Sequence, residues 1–415
     1  MPDSIWRNAQ FRYYVASTSF VGFSFAMQML LVTWLLIGVL NAPPDRVGLA
    51  QAIIGVPGVF LMLWGGVSAD RVDPRALMTR MYGFAVLPPL VLAAVVICGY
   101  LSFWAVTIWA VAMSVVTSYA GPAHAAALNR VSGSQVQEGV SASMGFGFII
   151  QLGGLALAGQ MDVIGTETVL VTQSLSLLVG CLMIRRLTGL TPTPQSGPVV
   201  STWVGLKDGF TIVIRDRLIV WIMLLNLVSM IFNFGTFTIV LPFILTKVYG
   251  GDVASLGWML VLFFFGAAVS NFIMLRYMPL ARPGRLFLGM QLTRALIFVI
   301  YWIGPALPMV VIATFLWGLN MGITGTTSRA IVQESAPERF RARILSVYTA
   351  GSIGSQPFGA LLLGFVIDAV GPLNAMIPGM LISAVIFSVG ITASPIWSYR
   401  SRTEPALERI EDPHE

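Results

Sequence analysis

Charged residues are scarce in this chain of 415 residues. Only 10% of the residues are Asp, Glu, Lys or Arg, whereas 56% are hydrophobic and the mean hydropathy is +0.83. Ordinary soluble domains are about 25% charged, so the composition excludes a soluble globular protein and indicates that lipid surrounds most of the chain. The net charge of +6 is then interpreted as a bias in loops that flank a membrane, and we expect no nucleic-acid binding.

Cysteine and histidine occur only twice each. Cys98 and Cys181 lie in apolar runs without the spacing of a metal site, so we interpret them as core or lipid-facing residues. The sequence contains no G-x-x-x-x-G-K-[S/T] phosphate loop, no metal cluster and no plausible Ser-His-Asp set. These absences predict a protein that is not an enzyme, has no cofactor and is not an ATP-driven pump.

Long apolar runs take up most of the chain. A bilayer core of about 30 Å requires roughly 20 apolar residues per helix. The first run, which follows Arg7 and Arg12, is too long for a signal peptide and is expected to remain as a helix. The sequence predicts an all-α membrane protein with twelve transmembrane helices, near 13–39, 48–67, 81–100, 104–126, 140–161, 168–187, 218–245, 255–275, 286–303, 308–329, 344–367 and 374–395.

The positive charges alternate with these helices. Of the 24 Lys and Arg residues, 21 fall in segments that share one side if both termini are cytoplasmic. Only Arg46 and Lys247 fall on the other side, and Arg294 lies within a predicted helix. Because cytoplasmic loops collect Lys and Arg, this distribution supports the helix count and predicts that both termini are cytoplasmic.

The chain divides into two similar halves. We expect a six-helix half at 1–187, a cytoplasmic linker with an amphipathic helix at 188–217, a second six-helix half at 218–399 and a cytoplasmic tail at 400–415. Asp162, Gly165 and Gly153 recur as Asp368, Gly371 and Gly359, each 206 positions later. A shared offset of about half the chain predicts two parallel repeats.

A dense group of charges separates the second and third predicted helices. The pattern G-x-x-x-D-R-x-x-x-R spans Gly66, Asp70, Arg71 and Arg75, and it resembles the corresponding loop of major facilitator superfamily transporters. That resemblance implies that Asp70 and Arg71 hold the cytoplasmic ends of the two halves together. The alternative is plain positive-inside topology with local salt bridges. Further members of this cytoplasmic gate are expected at neighbouring helix ends, namely Arg130, Glu138, Arg341 and Arg343.

Other motifs resemble one branch of that superfamily. They are F-R-Y-Y-V-A at 11–16, D-R-V-D-P-R at 70–75, G-P-A-H-A-A-A-L-N at 121–129 and Q-E-S-A-P-E-R-F-R-A-R at 333–343. They are similar to the enterobactin-exporter-like and macrolide-efflux-like proteins, although Ala342 replaces a glycine common in the family. The resemblance implies a monomer in a bacterial inner membrane that exports a small amphiphilic compound, such as a drug or siderophore, by alternating access with proton antiport.

Polar and aromatic residues follow single faces of predicted helices 1, 4, 7 and 10. In the resembled fold these helices line a central cavity, so the side chains predict a substrate site gripped mainly by apolar contact. The alternative is that they form hydrogen bonds between neighbouring helices. The predicted cavity residues are Ser17, Ser24, Gln28, Met113, Thr117, Asn226, Met230, Asn233, Phe237, Trp317, Asn320 and Thr324.

Arg294 is the one cation placed far from both ends of a predicted helix, about 13 Å beyond Arg285 at 1.5 Å per residue. It could bind an anionic substrate, or it could bond to Gln291 or neighbouring carbonyls, or extend to the interface. All 18 acidic residues lie at termini, loops or helix ends, so no embedded acid identifies the coupling ion. His124 could carry a proton, although a structural role is the alternative.

Two other functions remain open at this stage. The same fold could import a nutrient or metabolite, or the chain could be a membrane sensor or partner-binding subunit that transports nothing. The short loops between predicted helices, such as 101–103 and 304–307, leave little room for a partner domain.

Overall fold

The computed structural model describes residues 5–71, 73–132, 136–188, 213–214, 216–277, 280–337 and 340–401. Its description excludes the side chains of residues 62–71 and of several residues between 122 and 145. The described residues are almost entirely helical and contain no strand. The residues that the structure describes form twelve long helical rods: α1 (Ala9–Val39), α2 (Pro44–Arg71), α3 (Pro74–Ile97), α4 (Phe103–Ser132), α5 (Val136–Ala158), α6 (Thr166–Ile184), α7 (Arg217–Val248), α8 (Val253–Tyr277), α9 (Pro283–Ile303), α10 (Leu307–Ser335), α11 (Arg341–Val370) and α12 (Met376–Thr392).

The all-α, twelve-helix fold class predicted from the sequence is therefore confirmed. Within the described residues nine of the rods are long and apolar enough to cross a membrane by length and composition, and α5 and α12 contain shorter apolar helices. Several rods extend beyond their predicted limits, for example α10 to Ser335 and α11 from Arg341. The 20-residue criterion counts only the part in hydrocarbon, whereas a helix can continue into the aqueous interface.

Loops on one face of the bundle contact one another within each half. In the first half the Arg75 guanidinium donates to the Arg185 carbonyl, and the Thr188 N–H donates to Gln10 Oε1 at 2.8 Å. In the second half the Ser401 N–H donates to the Ala281 carbonyl at 3.0 Å. These segments carry most of the arginines, so we call this side the basic face and the other side the opposite face.

Turns on the opposite face repeat between the halves. Among the described residues, six have a positive φ, and they form three pairs: Asn41 with Gly250, Gly99 with Gly304, and Gly165 with Gly371. The members of each pair lie between 205 and 209 positions apart. Glycine and asparagine tolerate this conformation better than other residues. The repeat noticed in the sequence at Gly165 and Gly371 is therefore also a repeat of backbone conformation, with φ of 90° and 81°.

The first and seventh rods also end alike. Each closes with a five-residue π-helical turn, Leu35–Val39 in α1 and Ile244–Val248 in α7. Such turns are rare in α-helices and occur often at functional positions. The ends of α1 and α7 meet across the boundary between the halves, where Lys247 Nζ donates to Asn41 Oδ1 at 3.1 Å.

The two halves pack together through α2 with α11 and through α5 with α8. Gly48 of α2 lies against Gly364 of α11, and farther from the opposite face Gly55 lies against Pro357. Gly159, just after α5, lies against Gly257 of α8. Small residues let helix backbones approach closely, so these contacts close the bundle at the opposite face and as far as the middle of α2 and α11.

Toward the basic face the packing of the second half is separate. One large apolar cluster contains buried residues of both halves, including Leu30 and Leu256. A second cluster gathers the basic-face ends of helices in the second half alone; it includes Ile219, Phe287, Ile331, Ile344 and Ile396. The described cores are therefore continuous between the halves at the opposite face and divided at the basic face.

Candidate functional site

Open space on the fourth helix of each half marks the candidate site. Thr117 of α4 is exposed, and a Cβ built on Gly121, one turn farther along, would meet no heavy atom within 4 Å. The same is true of Gly325 at the equivalent place in α10. The two glycines therefore occupy matching positions in the two repeats, and each adjoins open space.

In the first half, the predicted cavity residues of α1 mostly face neighbouring helices. Ser17 is buried and its hydroxyl donates to the Gly180 carbonyl of α6 at 2.7 Å. Ser24 is also buried, and its hydroxyl has no hydrogen-bond partner; Gln28 is partly exposed, but its Oε1 is buried and unpartnered. Met113 of α4 is fully buried. Ser17 therefore performs the alternative role that the sequence left open, a hydrogen bond between helices.

In the second half, the predicted aromatic residues form a core. Trp317 of α10 is completely buried, and its Nε1–H donates to Asn233 Oδ1 of α7 at 2.8 Å. Aromatic rings surround it at centroid distances of 5.1–6.0 Å, from Phe237, Phe263, Phe298 and Tyr301. Edge-to-face contacts of this kind stabilise packing. Trp317 and Phe237 thus join α7, α8, α9 and α10 rather than presenting a surface to a ligand in this conformation.

The twelve predicted cavity residues thus divide into two groups. Gln28, Thr117 and Met230 retain exposed surface. The remaining nine are buried in helix packing: Ser17, Ser24, Met113, Asn226, Asn233, Phe237, Trp317, Asn320 and Thr324.

A polar cluster lies among α7, α9 and α10. Arg294 of α9 is only 2% exposed. Its Nε–H donates to Asn320 Oδ1 and its Nη2 donates to Thr324 Oγ1, both at 3.1 Å. Its Nη1 donates to Ser229 Oγ and, at 3.4 Å, to Gln291 Oε1. The hydrogen bond to Gln291 is one of the alternatives that the sequence left open for Arg294.

Sequence reasoning did not include Ser229 among the site residues. It lies three residues after Asn226 and four before Asn233 on α7, so all three share one helix face. This helical spacing could have identified Ser229 from the sequence as a further polar residue of the site. The structure brings two of the predicted cavity residues, Asn320 and Thr324, to the predicted buried charge, and their oxygens face Arg294.

The predicted cytoplasmic gate is described only in part. The side chains of Gly66, Asp70, Arg71 and Glu138 lie outside the described residues. Arg75 bonds within its own half, to the Arg185 carbonyl, and Arg343 lies over the Phe340 ring at 5.9 Å. Arg130 occupies the last turn of α4, and Arg341 begins α11. These arginines are all at the basic face, and the proposed latch stays a prediction.

His124 of α4 contacts Tyr14 of α1. Its Nδ1 lies 2.8 Å from the Tyr14 hydroxyl, which also approaches the His124 carbonyl oxygen at 3.1 Å. The two rings are tilted at a centroid distance of 5.0 Å. This arrangement supports the structural alternative for His124. Among the described residues, no group of three or more His, Cys, Asp or Glu side chains could hold a metal ion.

Comparisons with known proteins agree with this architecture. A sequence model of the Major Facilitator Superfamily matches residues 14–355 and 223–412. No curated protein matches the chain in sequence. The fold is similar to that of the nucleoside transporter NupG, with a TM-score of 0.76 and 11% identity over 94% of this chain and 100% of that one.

Two further structures with a similar fold are in inward-facing states. One is a bacterial homologue of the human lysosomal transporter Spinster, with a TM-score of 0.72 and 11% identity over 94% of this chain and 98% of that one. The other is a bacterial homologue of the iron transporter ferroportin, with a TM-score of 0.69 and 14% identity over 92% and 98%. With the family model covering most of its length and twelve helices in two repeats, the chain belongs to the Major Facilitator Superfamily.

Proposed function

We propose that this protein is a secondary active transporter of a bacterial inner membrane that exports a small amphiphilic compound by alternating access. The observation that carries the proposal is the asymmetric contact between the halves. Among the residues that the structure describes, their buried apolar cores are continuous at the opposite face, where Gly48 packs on Gly364, and form separate clusters at the basic face. A two-half bundle that closes at one face and separates at the other is suited to alternating access around a midplane site.

The basic face is assigned to the cytoplasm in this proposal, with both termini on that side. The support is the sequence distribution, which predicts that 21 of the 24 Lys and Arg residues lie on one side of the membrane. The conformation described above is then open toward the cytoplasm, as in the inward-facing relatives of the same fold. Export requires the opposite face to open next, which separates Gly48 from Gly364 and breaks the Lys247–Asn41 contact.

Proton antiport and a monomeric state belong to the same proposal. Proton antiport comes from the resemblance to the exporter branch, carried by motifs such as D-R-V-D-P-R at 70–75. In the described residues, acids such as Asp162, Glu334 and Asp368 lie at helix ends or in loops. A proton is therefore expected to act on a group near one of the faces rather than on a carboxylate at midplane.

Substrate accumulation in cells that lack their own exporters tests the proposal. Cells that express the wild-type chain should accumulate less of at least one compound of a broad amphiphile panel, and Asp70→Asn should abolish the difference. Arg80→Gln removes a charge from an exposed position on α3, near the same loop, and should retain export. Equal accumulation with the wild-type chain and with Asp70→Asn, across the whole panel, would contradict efflux.

Vesicle uptake and the phenotypes of further variants distinguish the two remaining alternatives. An importer would concentrate a compound in right-side-out vesicles when the proton gradient favours uptake. A sensor or partner-binding subunit would keep its phenotype in Gln28→Leu, a change at a partly exposed residue of the predicted cavity, and would lose it when surface loops are changed.

A further inference from the structure

The polar cluster around Arg294 contains a positive charge that is not paired with an acid among the residues that the structure describes. We call Arg294, Gln291, Ser229, Asn320 and Thr324 the Arg294 cluster. Every described hydrogen-bond partner of the guanidinium is a neutral oxygen, from an amide or a hydroxyl. All 18 acidic residues lie in loops, at termini or at helix ends in the sequence. An arginine stays protonated in proteins, so the cluster is a buried cation without an internal counter-charge.

The cluster also contains a hydrogen-bond donor without an acceptor. Gln291 is fully buried, and its Oε1 accepts from Ser229 Oγ at 3.1 Å and from Arg294 Nη1 at 3.4 Å. Two donors on one amide atom identify that atom as the oxygen. The other atom, Nε2, is therefore the NH₂ group, and it is buried without any partner. Buried polar groups are normally hydrogen-bonded, and an unpaired one requires an explanation.

Both features call for the same missing group, an acceptor with a negative charge. The guanidinium makes four described hydrogen bonds with its five N–H groups. Its hydrogen bond to Gln291 Oε1, at 3.4 Å, is longer than its bonds to Asn320 and Thr324, at 3.1 Å each. An anion beside Nη1 and Gln291 Nε2 would accept from both, and charge-assisted bonds to arginine are stronger than the neutral bonds it makes here.

The cluster lies next to the open side of α10. Thr324, which accepts from Arg294 Nη2, directly precedes Gly325, and a Cβ on Gly325 would meet no heavy atom within 4 Å. Met321 on the same helix is partly exposed, as are Met230 and Phe234 of α7. Polar donors and adaptable apolar side chains are thus adjacent on the two helices, an arrangement that suits an amphiphile.

We propose that the Arg294 cluster binds the anionic group of the transported compound, so that the substrate is an amphiphilic anion such as a carboxylate. This proposal rests on the transport function proposed above. The anion replaces Gln291 Oε1 at Arg294 Nη1 and accepts from Gln291 Nε2. Met230, Phe234 and Met321 contact the apolar part of the molecule.

Binding to the purified full-length chain tests this, with octanoate, octanamide and octylamine as probes of equal chain length and different charge. Octanoate should raise the unfolding temperature and bind with a measurable Kd, whereas the neutral and cationic probes should not. Sodium chloride and sodium gluconate at equal ionic strength separate an organic anion from a halide. If octanamide matches octanoate, or if chloride alone gives the full shift, the substrate assignment is overturned.

The sharpest variant is Gln291→Glu, which places the missing negative charge inside the cluster with almost no change of shape. We expect it to raise the unfolding temperature without ligand and to weaken octanoate binding by at least about tenfold, the effect of losing about 1.4 kcal/mol of interaction. Arg294→Gln should also lose octanoate binding if it folds, and the Gln291→Glu result stands by itself if it does not. The matched control is Arg276→Gln, which removes an exposed arginine from the end of α8 and should bind octanoate within about twofold of the wild type, a change of under half a kcal/mol.

Failure of this inference is distinguishable from failure of the transport proposal. If the wild-type chain exports neutral or cationic amphiphiles and Gln291→Glu exports them equally well, transport stands and the anion site is refuted. If octanoate binds, Gln291→Glu abolishes that binding and no compound moves, the anion site stands and transport is refuted. Retained octanoate binding in a folded Gln291→Glu variant overturns the site in either case.

Discussion

Gly48 of α2 and Gly364 of α11 pack backbone against backbone across the boundary between the two halves. A Cβ on Gly48 would lie 3.1 Å from the Gly364 Cα, and a Cβ on Gly364 would lie 3.0 Å from the Gly48 Cα. Each would also lie 2.7 Å from a carbonyl oxygen, that of Ala360 or of Pro44. Backbone atoms cannot rotate aside as a side chain can, so closure at the opposite face requires that both positions lack a side chain.

Gly364→Val should therefore hold the opposite face open. Spin labels at the exposed positions Val39 and Val248 flank the Asn41–Lys247 contact, and their distance should increase in the variant. Export should fall at least about tenfold if closure is required in each cycle, because over 1.4 kcal/mol of closure energy is lost. Gly289→Val is the control, since a Cβ there meets nothing within 4 Å. An unchanged label distance in Gly364→Val would show that the glycine contact does not control closure.

The buried pair formed by Trp317 and Asn233 should contribute to stability through its hydrogen bond. Trp317→Phe removes the Nε1–H donor and leaves Asn233 Oδ1 buried without its 2.8 Å partner. The expected cost is about 1–3 kcal/mol of unfolding free energy, plus a packing loss. Trp317→Phe combined with Asn233→Leu should cost less than the sum of the two single changes. Thermal unfolding in detergent measures all three variants.

Trp302 supplies the control for that prediction. It also donates to an asparagine, Asn374 at 3.1 Å, but it is 42% exposed. Water can replace the bond, so Trp302→Phe should change stability by less than about 0.5 kcal/mol. If Trp302→Phe and Trp317→Phe lowered the unfolding free energy equally, burial would not strengthen the contribution of the Trp317–Asn233 hydrogen bond.

Gly371 provides a test of backbone conformation separate from packing. Its φ is 81° and its ψ is 166°, and a Cβ there would meet no atom within 4 Å. Gly371→Ala should therefore destabilise the chain by about 1–3 kcal/mol through strain alone. Gly289→Ala is again the control, because it lies within a helix, where alanine is favoured over glycine by about 0.5–1 kcal/mol. A Gly371→Ala variant as stable as the wild type would contradict the assigned turn.

Asp252 caps the N-terminus of α8 through its carboxylate, so the stability of this helix end depends on pH. The Ser255 hydroxyl and backbone N–H donate to its Oδ1 at 2.6 and 2.8 Å and hold the pKa of Asp252 below its ordinary value of 3.8. Because the folded-state pKa is lowered, the stabilisation is fully present above pH 3.8 and is lost as the pH falls through that lower value.

Asp252→Ala should accordingly cost about 1 kcal/mol near neutral pH, the usual effect of losing a helix cap. The difference in unfolding temperature between wild type and variant should shrink as the pH is lowered below 4, in a series of thermal melts. Asp162→Ala serves as the control, because its carboxylate lies in a four-residue helix and caps no rod. If the difference in unfolding temperature between wild type and Asp252→Ala grew as the pH fell, the proposed role of the ionised carboxylate would be contradicted.

The sequence predicted the twelve helices and the repeat because both depend on local signals. The run that forms α9 was expected at 286–303 and is found at Pro283–Ile303. The 206-residue offset of Gly165 and Gly371 reflects a backbone conformation that few other residues adopt. For Arg294 the sequence indicated a position within a helix and left Gln291 open as one of several partners. Ser229, Asn320 and Thr324 come from other helices, and their approach to the guanidinium depends on how α7, α9 and α10 pack.

The sequence by itself predicted the twelve helices, from apolar runs long enough to cross a membrane, and the correspondence of turns such as those at Gly165 and Gly371. Only the tertiary structure decided which side of each helix meets another helix. Trp317 and Phe237 were predicted from the sequence as cavity residues, and only the structure shows that both are buried among the aromatic rings of the second half. The reason is physical: lipid tails are as apolar as a protein interior. Hydrophobic periodicity therefore cannot distinguish a lipid-facing surface from a packed one, and only contacts between distant segments make that distinction.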